Sequence, residues 1–490
     1  MTVRPKTKFL NRELIEKILS EAEEILCKLG VTILNKEILS LLADSGAKID
    51  LEKSHALLTP DIIQQALKTV PSSFKLFDVT GNLTHEFSAD NIYFTPASSA
   101  LNVLDGETGR VRRPTSADYI DYTKVTAGLP HIVSQSTAFI PTDVDEKISD
   151  SYRLYLSLLY GEKPVVTGTF SSEAFPVMKE MQQAVRGTEA ALKEKPLTIF
   201  SCCSTSPLKW GDVISQNIVE CARSGIPVEL ISVPIPGFIA PVTLVGSLVE
   251  HTVEILSGIV IGQLSAPGAP MLYGGAPAPF DVRYETTPMS AIEAAMLCCS
   301  YNEIGKHLNI PTQAYISLSD AKSLDAQAGL ETSMGAVLAA LSGINNIAGP
   351  GVLDFVNSFS IEKLVLDNEI CGMMLRMVKG VEAREDFPAL PHFQEILKEN
   401  HCIISKHTRR YLRREHYFPG SVIDRTNLQR WQEEGSQSLS ERARQEVARL
   451  ISEYEPSSLP VEVKSRLTEI MEQAAKGCGM DRLPNGEGSQ

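Results

Sequence analysis

Short apolar runs rich in Val, Ile, Phe and Thr recur along the chain, with longer stretches between them whose apolar residues fall at helical spacing. The strand-length runs lie at 92–97, 131–137, 164–170, 197–204, 227–234, 270–276, 311–319 and 344–349. Eight strands alternating with helical patterns every roughly 30 to 43 residues predict a (β/α)8 TIM barrel, a class of α/β fold. An open doubly wound sheet is the competitor, but no GxGxxG follows any strand. Residues 1–90 read as a helical N-terminal extension, 91–380 as the barrel, and 381–490 as a charged, helical C-terminal extension whose tail, from Cys478 on, is expected to be disordered. Helix starts are expected at Thr287 and Pro288, and at Ser319 or Asp320 for the helix running towards Ser342. The uncharged stretch 230–249 carries Pro234, Pro236, Gly237, Pro241 and Gly246. It therefore reads as a buried strand and an apolar loop, not a membrane span.

The 490 residues carry a net charge of −14, which argues against a nucleic-acid partner. The amino terminus lacks the apolar core of a signal peptide, so a cytoplasmic protein acting on a small molecule is expected. The nine cysteines show no CxxC, and no His stands at metal-ligand spacing from Cys202 and Cys203, so no metal site is expected. Lys322 as a Schiff-base lysine is less favoured than a solvated one, and neither HExxH, GxSxG nor a P-loop appears.

In the parallel barrel, ligands sit where the strands end. Along 311–319, alternation puts Ala314, Ile316 and Leu318 on one face and Tyr315, Ser317 and Ser319 on the other. The apolar face suits the outer helices, so Tyr315, Ser317 and Ser319 are expected inside; a plain filler role for Tyr315 is the alternative. The sixth strand runs through Tyr273 into a loop offering Phe280, Asp281, Arg283 and Tyr284, and the eighth ends at Asp354 and Phe355. With Phe94, Phe139 and Phe170 near other strand ends, these residues suggest an aromatic cage for a cation, reinforced by Asp281, Asp320, Asp325, Glu331 and Asp354. The bland readings are barrel packing, a surface Asp–Arg pair and helix caps.

The segments YGGAPAPFDVRYETTPMSAIEAAM, AYISLSDAKSLDAQAGLETSMGAVLAALSGINNIAGPGVLDF and EKLVLDNEICGMMLRMVKG, with LNVLDGETGRVRRPTSADY and LSEAEEILCKLGVTI before them, resemble the trimethylamine methyltransferase (MttB-type) family. The resemblance spans nearly the whole chain. It implies a TIM barrel that passes a methyl group from a methylated amine to the Co(I) of a separate corrinoid protein. The founding members carry pyrrolysine, and this chain has only standard residues. It therefore resembles the non-pyrrolysine branch, whose substrates are quaternary amines such as glycine betaine, proline betaine or carnitine. Phe94, Phe170, Tyr273, Phe280, Asp281, Arg283, Tyr315, Ser317, Asp320, Asp354 and Phe355 are then the expected substrate-binding residues, with Arg283 for a carboxylate. No catalytic side chain is expected, since cobalt supplies the nucleophile. No cofactor is expected on this chain, whose histidines lack the Asp-x-His-x-x-Gly cobalt signature. The expected partners are the cognate corrinoid protein and the amine, with a homo-oligomer possible and no membrane. The basic run 406–416 is expected as a solvated or salt-bridged helix face, or else as part of the docking surface. The alternatives are a tertiary amine such as trimethylamine as donor, or a betaine-binding barrel without turnover.

Overall fold

The computed structural model describes residues 3–484; the final residues of the expected disordered tail lie outside them. All eight expected runs contain parallel strands: β1 (Tyr93–Thr95), β2 (Gln135–Ser136), β3 (Val165–Thr167), β4 (Thr198–Cys203), β5 (Val228–Ser232), β6 (Met271–Gly275), β7 (Gln313–Tyr315) and β8 (Asn346–Ala348). Helices connect them in order: α1 (Ser116–Ala127), α2 (Glu146–Tyr160), α3 (Ala174–Arg186), α4 (Asp212–Ser224), α5 (Leu244–Ser265), α6 (Ile292–His307) and α7 (Ala326–Ser342), with α8 (Ile361–Met377) after β8.

Strands β2 to β6 form one parallel sheet, and β7, β8 and β1 form a second. Together they run in the sequential order of a (β/α)8 ring, but the ladder is not closed. At the β6–β7 seam a single bridge joins Tyr273 to Thr312. At the β1–β2 seam the Val133 amide donates to the Phe94 carbonyl (3.3 Å), and a bridge pairs Ala100 with Phe139.

The N-terminal region is not purely helical, as its sequence suggested. Helices Arg12–Lys28, Lys36–Asp44 and Pro60–Thr69 alternate with strands Val31–Ile33, Lys48–Asp50 and His55–Leu57. A hairpin of Phe74–Phe77 and Leu83–Phe87 then plugs the foot of the ring, where Leu76 and Phe87 pack with Val166, Ile199 and Leu272. Beyond α8, helix Leu439–Ser452 leans on α1 and α8, and helix Val461–Gly477 leans on α2 and α3.

Two helix starts differ from expectation. The chain between Thr286 and Ala291 stays irregular and α6 begins at Ile292, because Asp320 holds the turn at Met289 and Ser290. Helix α7 is capped by Asp325, whose carboxylate accepts from the Gln327 and Ala328 amides. The stretch at 230–249 does begin as a strand, but Thr243 caps α5 within it. Helix α5 is the one helix among the described residues long and apolar enough to cross a membrane, and most of its apolar window is buried inside the protein.

Candidate functional site

Inward alternation organises the ring interior. On β4, Ile199 packs at the foot while Ser201 and Cys203 line a cavity of about 270 Å³ at the C-terminal strand ends. Ile231 and Val233 line it from β5 and beyond, Ala276 from the end of β6, and Tyr315 from β7. Ser98, Thr137, Thr167, Phe170, Met289 and Val356 complete much of the wall. The Tyr315 hydroxyl meets the Ser98 hydroxyl at 2.8 Å, fixing the ring across the β1–β7 side.

Below the cavity lies a residue the sequence reading passed over. Glu229 is fully buried on β5, two residues before Ile231 and therefore on the same inward face. Its Oε1 accepts from the Ser201 hydroxyl (2.6 Å) and its Oε2 from the Asn346 side-chain amide (2.9 Å). Asn346 in turn accepts from the Thr95 hydroxyl at 2.8 Å. Burial pushes the Glu229 carboxyl up to about 7, with the two hydrogen bonds pulling the other way. Burial, with Glu229 near, pushes the Tyr315 hydroxyl well above its ordinary value. When ionised, this carboxyl places a negative charge beneath the cavity, with no cationic partner among the described residues. The signal was present in the sequence: one acid in the otherwise apolar strand PVELISVP.

A buried ion pair holds one wall. Arg153 donates to Asp150 (2.5 Å), the Thr137 carbonyl (3.0 Å) and the Ser99 hydroxyl (3.2 Å). Asp150 also accepts from the Thr169 hydroxyl (3.0 Å) and the Phe170 amide (2.6 Å). At the opposite wall, a Cβ on Gly349 would meet the Ile316 carbonyl at 2.1 Å, so only glycine lets β8 end this close to β7. The elbow that follows is anchored where the Gly351 amide donates to Asp367 (2.7 Å), itself paired in the core with Lys363. Asp354, Phe355 and Val356 then turn with φ of 52°, 55° and 69°, three successive left-handed side-chain-bearing residues at the cavity's edge.

The expected site residues do not form one group. Tyr315 and Phe170 reach the inner cavity. Phe280, Asp281, Arg283, Asp320 and Phe355 instead line an outer cleft of about 760 Å³, which meets the cavity along Met289–Ser290 and Phe355–Val356. Arg283, expected for a carboxylate with a surface Asp–Arg pair as the alternative, is held by Asp281 through two contacts (3.0 and 2.6 Å). Asp320 accepts from the Ser290 amide and hydroxyl (2.9 and 2.5 Å), and burial raises its carboxyl. Asp354 pairs with Lys322 at 3.5 Å, and the Lys322 ammonium also stands 3.8 Å from the Phe355 ring centre. That ring's face is therefore already occupied by a cation.

Several expected residues lie away from both spaces. Tyr273 points outward from β6 and donates to Thr252 of α5 (3.1 Å). Phe94 is buried between Tyr93, which packs on the foot hairpin, and Thr95, which faces Asn346; alternation turns it to the helices. Phe139 likewise packs against Tyr119, Tyr122 and Phe359. Ser317 departs from its expected inward direction because β7 ends at Tyr315 and Ser317 adopts φ 68°, which breaks the alternation. It lines a crevice between α6 and α7. Ser319 bonds Glu331 (2.6 Å).

The family model for trimethylamine methyltransferase (MTTB) matches residues 2–479. The chain belongs to that family. Its relatives include the trimethylamine methyltransferase MttB of Desulfitobacterium hafniense, 26% identical over 94% of this chain and 92% of the relative. The glycine betaine methyltransferase of the same species is 27% identical over 97% and 98%, and MttB of Methanosarcina barkeri is 28% identical over 92% of each. Among solved structures, the monomethylamine methyltransferase of M. barkeri superposes with a TM-score of 0.50 at 13% identity, covering 97% of this chain and 89% of that one. The family makes this chain a methyltransferase of the methylamine type, and the solved structure shares its fold.

Proposed function

We propose that this methyltransferase takes a methyl group from a quaternary amine, glycine betaine or a related betaine, and delivers it to the Co(I) of a corrinoid carried by a separate protein. The observation that carries the reading is Glu229, a buried carboxyl with no cationic partner among the described residues, set beneath a cavity that Tyr315 and Phe170 help to wall. The cavity is smaller than the ~300–1,000 Å³ of pockets that hold drug-sized ligands, which suits a small amine. A relative named for glycine betaine supports the donor class.

The chemistry asks little of the chain. The C–N bond breaks with its electron pair on nitrogen, so a neutral tertiary amine leaves without a proton. Co(I) supplies the pair for the new carbon bond. What remains for the protein is orientation and a local field that favours the cation in its resting position. The wide outer cleft, with Val242, Val282 and Tyr284 exposed at its rim, is where the acceptor protein approaches.

The test mixes the purified chain with a Co(I) corrinoid acceptor and candidate amines, and follows methyl–cobalt absorbance. Formation with a quaternary amine alone supports the reading. Formation with trimethylamine alone replaces the donor, and formation with none leaves a binding protein. Tyr315→Ala should raise the amine KM about tenfold or more with kcat less affected.

A further inference from the structure

A second cleft, of about 570 Å³, opens on the β1–β3 side of the barrel mouth, whereas the outer cleft occupies the β5–β8 side. Leu101 after β1, Ile140, Pro141 and Val144 between β2 and α2, and Phe170 after β3 give it an apolar lining. Phe170 is the one residue that it shares with the inner cavity, and that side chain is 65% exposed. The two spaces therefore meet at the Phe170 ring.

Several polar groups in this lining have no protein partner. Arg113 donates one guanidinium N–H to the Leu101 carbonyl (3.0 Å), which holds it at the cleft. Its neighbour Arg112 is taken up by Asp105 and Asp118. Arg113 stands in no ion pair among the described residues, and neither does Lys147. The Ser149 hydroxyl is buried in the same lining and meets no hydrogen-bond partner. Such a hydroxyl costs free energy until a ligand or water satisfies it. Two acids also line the cleft, but Asp150 is already held by Arg153, so Glu146 alone stands against the two cations. With one of its five donors spent on Leu101, Arg113 keeps a free pair for a planar carboxylate. An apolar trough carrying that guanidinium, an ammonium and an unused hydroxyl answers a carboxylate on an aliphatic stem.

We infer that the second cleft is the subsite for the far end of the donor, with Arg113 binding the carboxylate of a betaine whose ammonium lies in the inner cavity. The inference rests on the quaternary-amine donor proposed above and specifies which betaines the site admits. Groups on either side of the Phe170 ring are separated by two van der Waals contacts, roughly 7 Å. Glycine betaine has a single carbon between its ammonium and its carboxylate and falls well short of that span. A stem of three or four carbons comes close to it. Arg113 thereby takes the role that Arg283, tied to Asp281, does not fill.

Isothermal titration calorimetry on the full chain tests this with three probes: γ-trimethylammoniobutyrate, its methyl ester and glycine betaine. The butyrate should bind at least about tenfold more tightly than either of the others, the size expected of a charge-assisted pair. Arg113→Gln should remove that advantage and leave the affinity for the ester unchanged. Arg113→Lys keeps the charge without the planar fork and should retain part of it. Glycine betaine binding as tightly as the butyrate overturns the subsite while the quaternary-amine donor stands. So does an Arg113→Gln loss that is equal for butyrate and ester, or no loss at all. Binding of none of the three probes overturns the donor reading and the subsite with it.

Discussion

Replacing Glu229 with Gln removes the charge beneath the cavity while keeping the side-chain volume and most of its hydrogen-bonding capacity. The next inward position on β5, Ile231, already lines the cavity. Two residues of strand rise put a bound cation about 7 Å from the carboxylate. At an effective dielectric near 20, unit charges at that separation attract by roughly 2 kcal/mol, or about 30-fold in affinity. The effect must follow pH, because Glu229 titrates near 7. Moving from about pH 6 to about pH 8 takes the group from mostly neutral to mostly ionised, so a quaternary amine should bind about tenfold more tightly at the higher pH. Isothermal titration calorimetry of the amine across that range reads both effects. The Glu229→Gln chain should bind weakly with no slope, and a neutral tert-butyl analogue should show no slope even with the wild type. A wild-type affinity that is flat with pH and unchanged by the substitution would refute the role given to this carboxyl.

Four further outcomes are expected. Glu229 has its carboxyl raised from an ordinary value of 4.5 to about 7; folding therefore retains a proton the unfolded chain releases, and stability falls as pH rises through that window. Glu229→Gln should accordingly raise Tm by a few degrees at pH 8 and hardly at pH 5, as scanning calorimetry would show. Arg153→Met strands the buried Asp150 and frees the Phe170 rim, so it should cost about 3–5 kcal/mol in chemical denaturation. Arg283→Ala removes an exposed guanidinium that pairs with Asp281 and lies over the Tyr284 ring, and the amine KM in steady-state assays should change less than about threefold. Tyr284→Asp, at the rim of the outer cleft, should raise KM for the acceptor protein at least about fivefold and leave amine affinity unchanged.

The placement of the eight strands was legible because buried parallel strands read as short apolar runs at even intervals. Their side-chain directions were legible only where alternation was applied. It put Tyr315 inside, and the structure has it there at the cavity wall. Tyr273, Phe94 and Phe139 were grouped by nearness to strand ends without that step, and all three face the helical shell. Alternation itself gave out beyond Tyr315, since a positive φ at Ser317 is invisible to periodicity. Asp325 and Asp320 illustrate another limit. Both are acids near a helix start, but which one caps α7 and which one pins the Met289–Ser290 turn depends on contacts thirty residues away in sequence. Glu229 was legible and passed over: a carboxylate within an apolar strand costs too much to bury without a role or a network.

The hairpin at 74–87 fills the foot of the ring with Leu76 and Phe87, so the inner cavity opens towards the C-terminal strand ends and not through the foot. On the proposed reaction, donor and acceptor must use the same doorway from the same side. The amine has to be seated before the acceptor protein covers the mouth, and the demethylated amine cannot leave until that protein departs. Turnover should then be compulsorily ordered, with the amine first on and last off. At high acceptor concentration the rate should fall, as the acceptor closes the mouth over empty enzyme.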